Sequence, residues 1–293
     1  MRAQTTFLVL SGLLSTLVQA HLVPWHPGMY CFGGVQGGDD KNAYNAVTPL
    51  YQLDKSQWWM HHVDRCDEFP PAPGKFLELP AGGTFQVEIA ANRGKTSWSF
   101  GGKFATLWGD GADHPDNYQD SNCIDTCAVH TENYNNVAGS TFAISYTSDI
   151  KQVTPENLVV FTVNVHSPWK RHTTFEVPAD LPACPPGGCI CAWGWVCRIS
   201  EPNMYQVPYR CNVTGAKSNK VVAQGKPAKW CEDDPSKCVK GAKQMLYWHQ
   251  LNGNNIEVEG FDLSGRRKSP AYNNKCGFAH GKFFLGGVGV DHD

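Results

Sequence analysis

Apolar residues in this chain come in short runs separated by Gly, Pro, Asn and Asp, the punctuation of strands and turns rather than of helices. Residues 85–89 alternate apolar and polar with a period of two, which predicts a half-buried antiparallel strand. Residues 141–146 predict a second strand. Residues 158–165 open as a continuous apolar run, the pattern of a strand inside a sandwich. Long stretches with the 3.6-residue periodicity of an amphipathic helix are hard to find, so the chain reads as all-β.

One apolar run stands apart. Residues 7–18 follow the basic Arg2 and end at Val18-Gln19-Ala20; the run is too short to span a bilayer and closes in the A-x-A manner of a cleavage site. Residues 1–20 are therefore expected to be a secretory signal peptide. Residues 21–293, which would then begin with His21, are long enough for one large domain or two small ones. No later stretch is apolar enough to cross a membrane, and the tail Asp291-His292-Asp293 lacks the hydrophobic run of a lipid-anchor signal. A secreted, extracellular protein is expected.

Secretion changes the meaning of the 12 cysteines, all of which lie beyond residue 20. An even number in an oxidising compartment points to disulfides, although spacing does not reveal the pairing. Seven cysteines fall within residues 178–238 among many Pro and Gly, which predicts a loop-rich extension held by covalent staples. Trp193, Trp195 and Trp230 favour burial, so this extension is expected to fold onto the sandwich. A zinc site at Cys184, Cys189, Cys191 and Cys197 is the weaker reading, because their spacing is not that of a paired CxxC site. Asn212-Val213-Thr214 is a glycosylation sequon and predicts a surface loop. With 25 Lys plus Arg against 27 Asp plus Glu, nothing suggests capture of nucleic acid or of an acidic membrane, and a neutral partner fits better.

An N-terminal histidine offers chemistry that no internal histidine can, since its α-amino group and its ring nitrogen can close on one metal ion as a chelate. Cu(II) prefers nitrogen ligands in a tetragonal arrangement, and His21 alone would supply two. One further histidine would complete a three-nitrogen set. His26, His61, His62, His114, His130, His166, His172, His249, His280 and His292 are all candidates, and spacing does not choose among them. For Trp58 and Trp59, beside His61 and His62, burial is expected rather than sugar contact.

Several blocks together carry a family resemblance. They are His21-Leu22-Val23-Pro24-Trp25-His26 with Met29-Tyr30, Gln57-Trp58-Trp59, Leu77-Glu78-Leu79-Pro80-Ala81-Gly82-Gly83, and Phe175-Glu176-Val177-Pro178. Leu181-Pro182-Ala183-Cys184-Pro185, Gly188-Cys189-Ile190-Cys191-Ala192-Trp193, Pro202-Asn203-Met204-Tyr205 and Cys211-Asn212-Val213-Thr214-Gly215-Ala216 complete the set. In these blocks the chain resembles the fungal lytic polysaccharide monooxygenases of auxiliary activity family fourteen.

The resemblance implies an immunoglobulin-like antiparallel β-sandwich with long disulfide-stapled loops, residues 21–293 forming a single catalytic domain that carries one copper ion. The metal ligands and catalytic residues it implies are His21, through its amine and ring, a second histidine and an axial tyrosine. Matching by neighbourhood places the second histidine at His130, with His114 in reserve, and the tyrosine at Tyr205, with Tyr209 in reserve. The implied partners are an external electron donor and a polysaccharide, xylan laid on cellulose, acted on by a monomer. Cys31 stands where the resemblance would have glycine, and Cys276 is its expected disulfide partner. The segment beyond about Asn255 matches the family pattern poorly. The alternative from another class is a secreted copper-binding protein that uses the same chelate without oxidising polysaccharide.

Overall fold

The computed structural model describes residues 21–119, 129–197 and 202–282, so the expected signal peptide and the C-terminal tail lie outside the described residues. Nine strands are described: β1 Val23–Trp25, β2 Leu77–Pro80, β3 Thr84–Ala90, β4 Ser140–Ser145, β5 Val159–Asn164, β6 His172–Glu176, β7 Cys189–Val196, β8 Met204–Thr214 and β9 Gly281–Lys282. The one α-helix among the described residues, Lys55–Trp58, is a single turn, continued by a 3-10 segment Trp59–Asp64. The three expected strands are all present, as β3, β4 and β5.

The strands form two sheets, β1-β3-β6 and β2-β8-β7-β4-β5-β9. Pairing is antiparallel except between β2 and β8, where Leu77 lies opposite Cys211 and the two strands run the same way. The sheets face each other across a cluster of aromatic rings. Phe85 of β3 and Phe175 of β6 meet Phe142 of β4 edge-on, each with ring centres 5.0 Å apart, and Phe142 also meets Tyr209 of β8 at 5.3 Å. The all-β sandwich expected from the patterning is the architecture found.

The six-stranded sheet is covered on both faces, which explains why β5 and β7 read as nearly continuous apolar runs. Its second face packs Ala143, Val160, Ile190 and Ala192 against Met245, Leu246, Tyr247 and Phe278, all buried. β3 is different: Phe85 and Val87 point inward while Thr84 and Gln86 are exposed, until the alternation breaks at Glu88. Glu88 lies on the outer side yet is buried, because Ser97 donates its backbone N–H to the carboxylate at 2.9 Å and Arg171 pairs with it.

Three expectations are corrected here. Residues 178–238 are not an extension, since they supply β7 and β8, the two longest strands, at the interior of the larger sheet. Cys31 pairs with Cys66 rather than with Cys276. The sequon lies on β8 rather than in a loop, with Asn212 in register with Glu78 of β2. Cys184–Cys189, Cys191–Cys211 and Cys231–Cys238 are the other described disulfides, and the first two consume three of the four cysteines that zinc would need.

Phe142 is fully buried at the contact of both sheets, and a large-to-small change there leaves a cavity that β-strands close poorly. Phe142→Ala is expected to cost about 3–5 kcal/mol, measured as the shift in the urea unfolding midpoint.

Candidate metal centre

His21 precedes β1, a strand of three residues that is held from two sides. Val23 and Trp25 pair with Ala90 and Glu88 of β3, and the Trp25 indole donates to the Ala90 carbonyl at 2.9 Å. From the other sheet, the buried Tyr209 hydroxyl donates to the Pro24 carbonyl. The start of the strand is thereby fixed at the end of the sandwich where β8 begins.

Tyr205 is the second residue of β8 and lies opposite Trp195 of β7. Their rings stack with centres 4.9 Å apart and planes 19° apart, and Tyr205 is almost wholly buried. Its hydroxyl reaches His21 Nδ1 at 2.7 Å. His130 enters from the loop before β4, in the left-handed region at φ 47°, and is buried. Its ring lies 6.0 Å from that of His21, with planes 25° apart, and 5.8 Å from Trp195.

The structure therefore brings His21, His130 and Tyr205 together at one end of the sandwich. The two reserve residues are elsewhere. His114 bonds to Asp110 at 2.8 Å and packs on Tyr118 and Trp108, while the hydroxyl of Tyr209 is taken up by Pro24 in the core. Of the other histidines, His61 is buried against Asn45 and Asp64, His62 pairs with Asp67, and His249 stacks on Tyr51. Trp58 is buried and donates to Asn252, as expected of a packed tryptophan. His292 lies outside the described residues.

Trp195 was legible only as a buried residue. Its place between His130 and Tyr205 depends on the register of β7 against β8, for which the sequence carries no separate signal. Among the described residues no three His, Cys, Asp or Glu side chains gather where they could hold one ion.

A profile described as "Lytic polysaccharide monooxygenase AA14" matches residues 2–283. The chain belongs to this family. AA14 family lytic polysaccharide monooxygenase B of Pycnoporus cinnabarinus is 34% identical over 267 residues, covering 85% of this chain and 67% of that protein. The protein of the same name from Trametes coccinea is 35% identical over 270 residues, covering 85% and 60%. That of Talaromyces rugulosus is 29% identical over 287 residues, covering 90% and 92%. The chain thus spans 60% to 67% of the length of the first two relatives, both AA14 polysaccharide monooxygenases by name.

In this AA14 chain, His26 generates a test of its own. Burial beside Trp98 holds its imidazole well below the ordinary value, at about 4, and its Nδ1 accepts the Gly28 N–H at 3.0 Å. The folded protein keeps His26 neutral while the unfolded chain takes up a proton near 6.5, so folding loses stability as pH falls from about 6.5 to about 4. His26→Asn, which keeps an acceptor, is expected to flatten that part of the stability curve, measured as urea midpoints at pH 7, 5 and 4.

Proposed function

We propose that this AA14 chain is a secreted copper-dependent enzyme that cleaves glycosidic bonds oxidatively, with xylan laid on cellulose as substrate and an external electron donor as partner. Removal of residues 1–20 would free the α-amino group of His21. The observation that carries the reading is the 2.7 Å contact between Tyr205 Oη and His21 Nδ1 with the His130 ring 6.0 Å away.

The donor set fits copper. Two imidazoles and a phenol meet, and among the described residues no third His, Cys, Asp or Glu side chain joins them, so the freed amine of His21 is the group that would supply a third nitrogen. From an N-terminal histidine only Nδ1 can share an ion with the amine, because that closure makes a six-membered ring. Nδ1 is also the atom that Tyr205 meets. The His130 ring, 6.0 Å from that of His21, is near enough for both imidazoles to donate to one ion.

When bound, copper supplies one-electron activation of O₂ or H₂O₂ for hydrogen abstraction beside a glycosidic bond. The residues supply the geometry. His21 and His130 would donate nitrogens, and Tyr205, locked by its stack on Trp195, would offer its hydroxyl from the protein interior. His21 itself is partly exposed, so these side chains reach the protein surface, where a polysaccharide would bind. Membership of a polysaccharide monooxygenase family favours this over a protein that only stores or carries copper. The choice of xylan rests on the sequence resemblance.

Correctly processed protein with one equivalent of Cu(II) is expected to give a nitrogen-rich axial electron paramagnetic resonance signal. With a reductant it should release oxidised oligosaccharides from xylan-coated cellulose. Keeping one extra residue before His21 should weaken copper binding at least tenfold by calorimetry, because the amine is displaced; unchanged affinity would exclude the amine as a ligand. His130→Ala should remove one nitrogen from the signal, and a spectrum identical to the parent's would move that role to another histidine.

A further inference from the structure

We infer that the C-terminal segment, through Arg266 and Glu132, positions His130 for the metal; this rests on the copper reading above. Glu132 is two residues beyond His130 and is largely buried. Its carboxylate faces Arg266 Nη1 at 2.8 Å and accepts the Asn136 side-chain N–H at 2.7 Å. The pair therefore joins the His130 loop to a segment more than one hundred residues away in sequence.

Arg266 is presented by a well-built hairpin. The Asp262 N–H donates to the Arg266 carbonyl at 2.7 Å and the Lys268 N–H to Gly260 at 2.9 Å, with Phe261 bridging Arg267. The Asp262 carboxylate accepts the Ser264 and Arg266 backbone N–H groups at 2.9 and 3.0 Å and the Lys275 ammonium at 2.5 Å. A turn with this many internal bonds can hold a guanidinium in one place. The chain that follows also backs the loop directly. Gly139, at φ +80°, lies so close to the Tyr272 carbonyl that a Cβ there would collide with it.

His130 needs such support, because a non-glycine residue in the left-handed region is held there only by its surroundings. Val137 and Ala138, at the far end of the loop, are buried and line a cavity together with Asp262, Ala271 and Lys275 of the C-terminal segment. Arg266 and Glu132 are thus positioning residues that act through the loop.

The test compares processed parent protein with R266Q, E132Q, R266K and K268Q, each titrated metal-free with Cu(II) by calorimetry and then, with one equivalent of Cu(II) bound, recorded by electron paramagnetic resonance. R266Q and E132Q should each weaken Cu(II) binding about tenfold and shift the spectrum, as loss of support beyond the ligands does. R266K keeps the charge and should stay close to the parent. K268Q breaks a different ion pair of the same hairpin, Lys268 to Asp233 at 3.1 Å, and should change neither readout. E132Q reads the same pair from the other side if R266Q does not fold. R266Q and E132Q indistinguishable from the parent would overturn the inference and leave the copper reading standing, as would K268Q matching R266Q. A parent protein without a nitrogen-rich signal would overturn the copper reading and this inference together.

Discussion

The pairing of β7 with β8 is the constraint on which the rest of the molecule depends. From Cys189 opposite Cys211 to Val196 opposite Met204, eight residue pairs run without interruption through the interior of the larger sheet. The Cys191–Cys211 disulfide ties the same two strands covalently. A slip by one residue would turn every side chain of β8 to the other face. Tyr205 would lose both its stack on Trp195 and its contact with His21, and Tyr209 would lose its bond to Pro24.

The candidate centre combines a rigid half with a supported half. Tyr205 and Trp195 belong to strands buried on both faces, so their rings inherit the rigidity of the sheet. β1 is short and at an edge, but bonds from both sheets hold it. His130 has no strand of its own. It sits on a loop in a conformation that costs about 1–2 kcal/mol for a residue with a Cβ, its ring packs against Trp195, and the Arg266–Glu132 pair ties the same loop to the C-terminal segment.

Much of the sandwich was legible because it obeys local rules. The alternation of residues 85–89 and the apolar run of 158–165 mark strands whose two faces see different or identical surroundings, and β3 and β5 have those surroundings. Residues 178–238 misled because the Pro, Gly and Cys that suggest loops flank and interrupt two long strands. Cys191 and Cys211 belong to the strands themselves, and Pro208 sits within β8. The Cys31–Cys66 bond was illegible for a simpler reason: pairing depends on which turns approach, and the 3-10 turn Cys66–Glu68 is brought to Cys31 by contacts with β8 and the core.

By itself the sequence determined the all-β class, the abundance of disulfides and, through family blocks, which three side chains to examine. These are properties of periodicity, of composition and of short motifs, each set within a few residues. The tertiary structure alone decided that His21, His130 and Tyr205 meet, that Trp195 stands behind two of them, and that Arg266 reaches the loop of His130. Those contacts join residues far apart in the chain, and their distances follow from strand register and sheet packing, which no local pattern encodes.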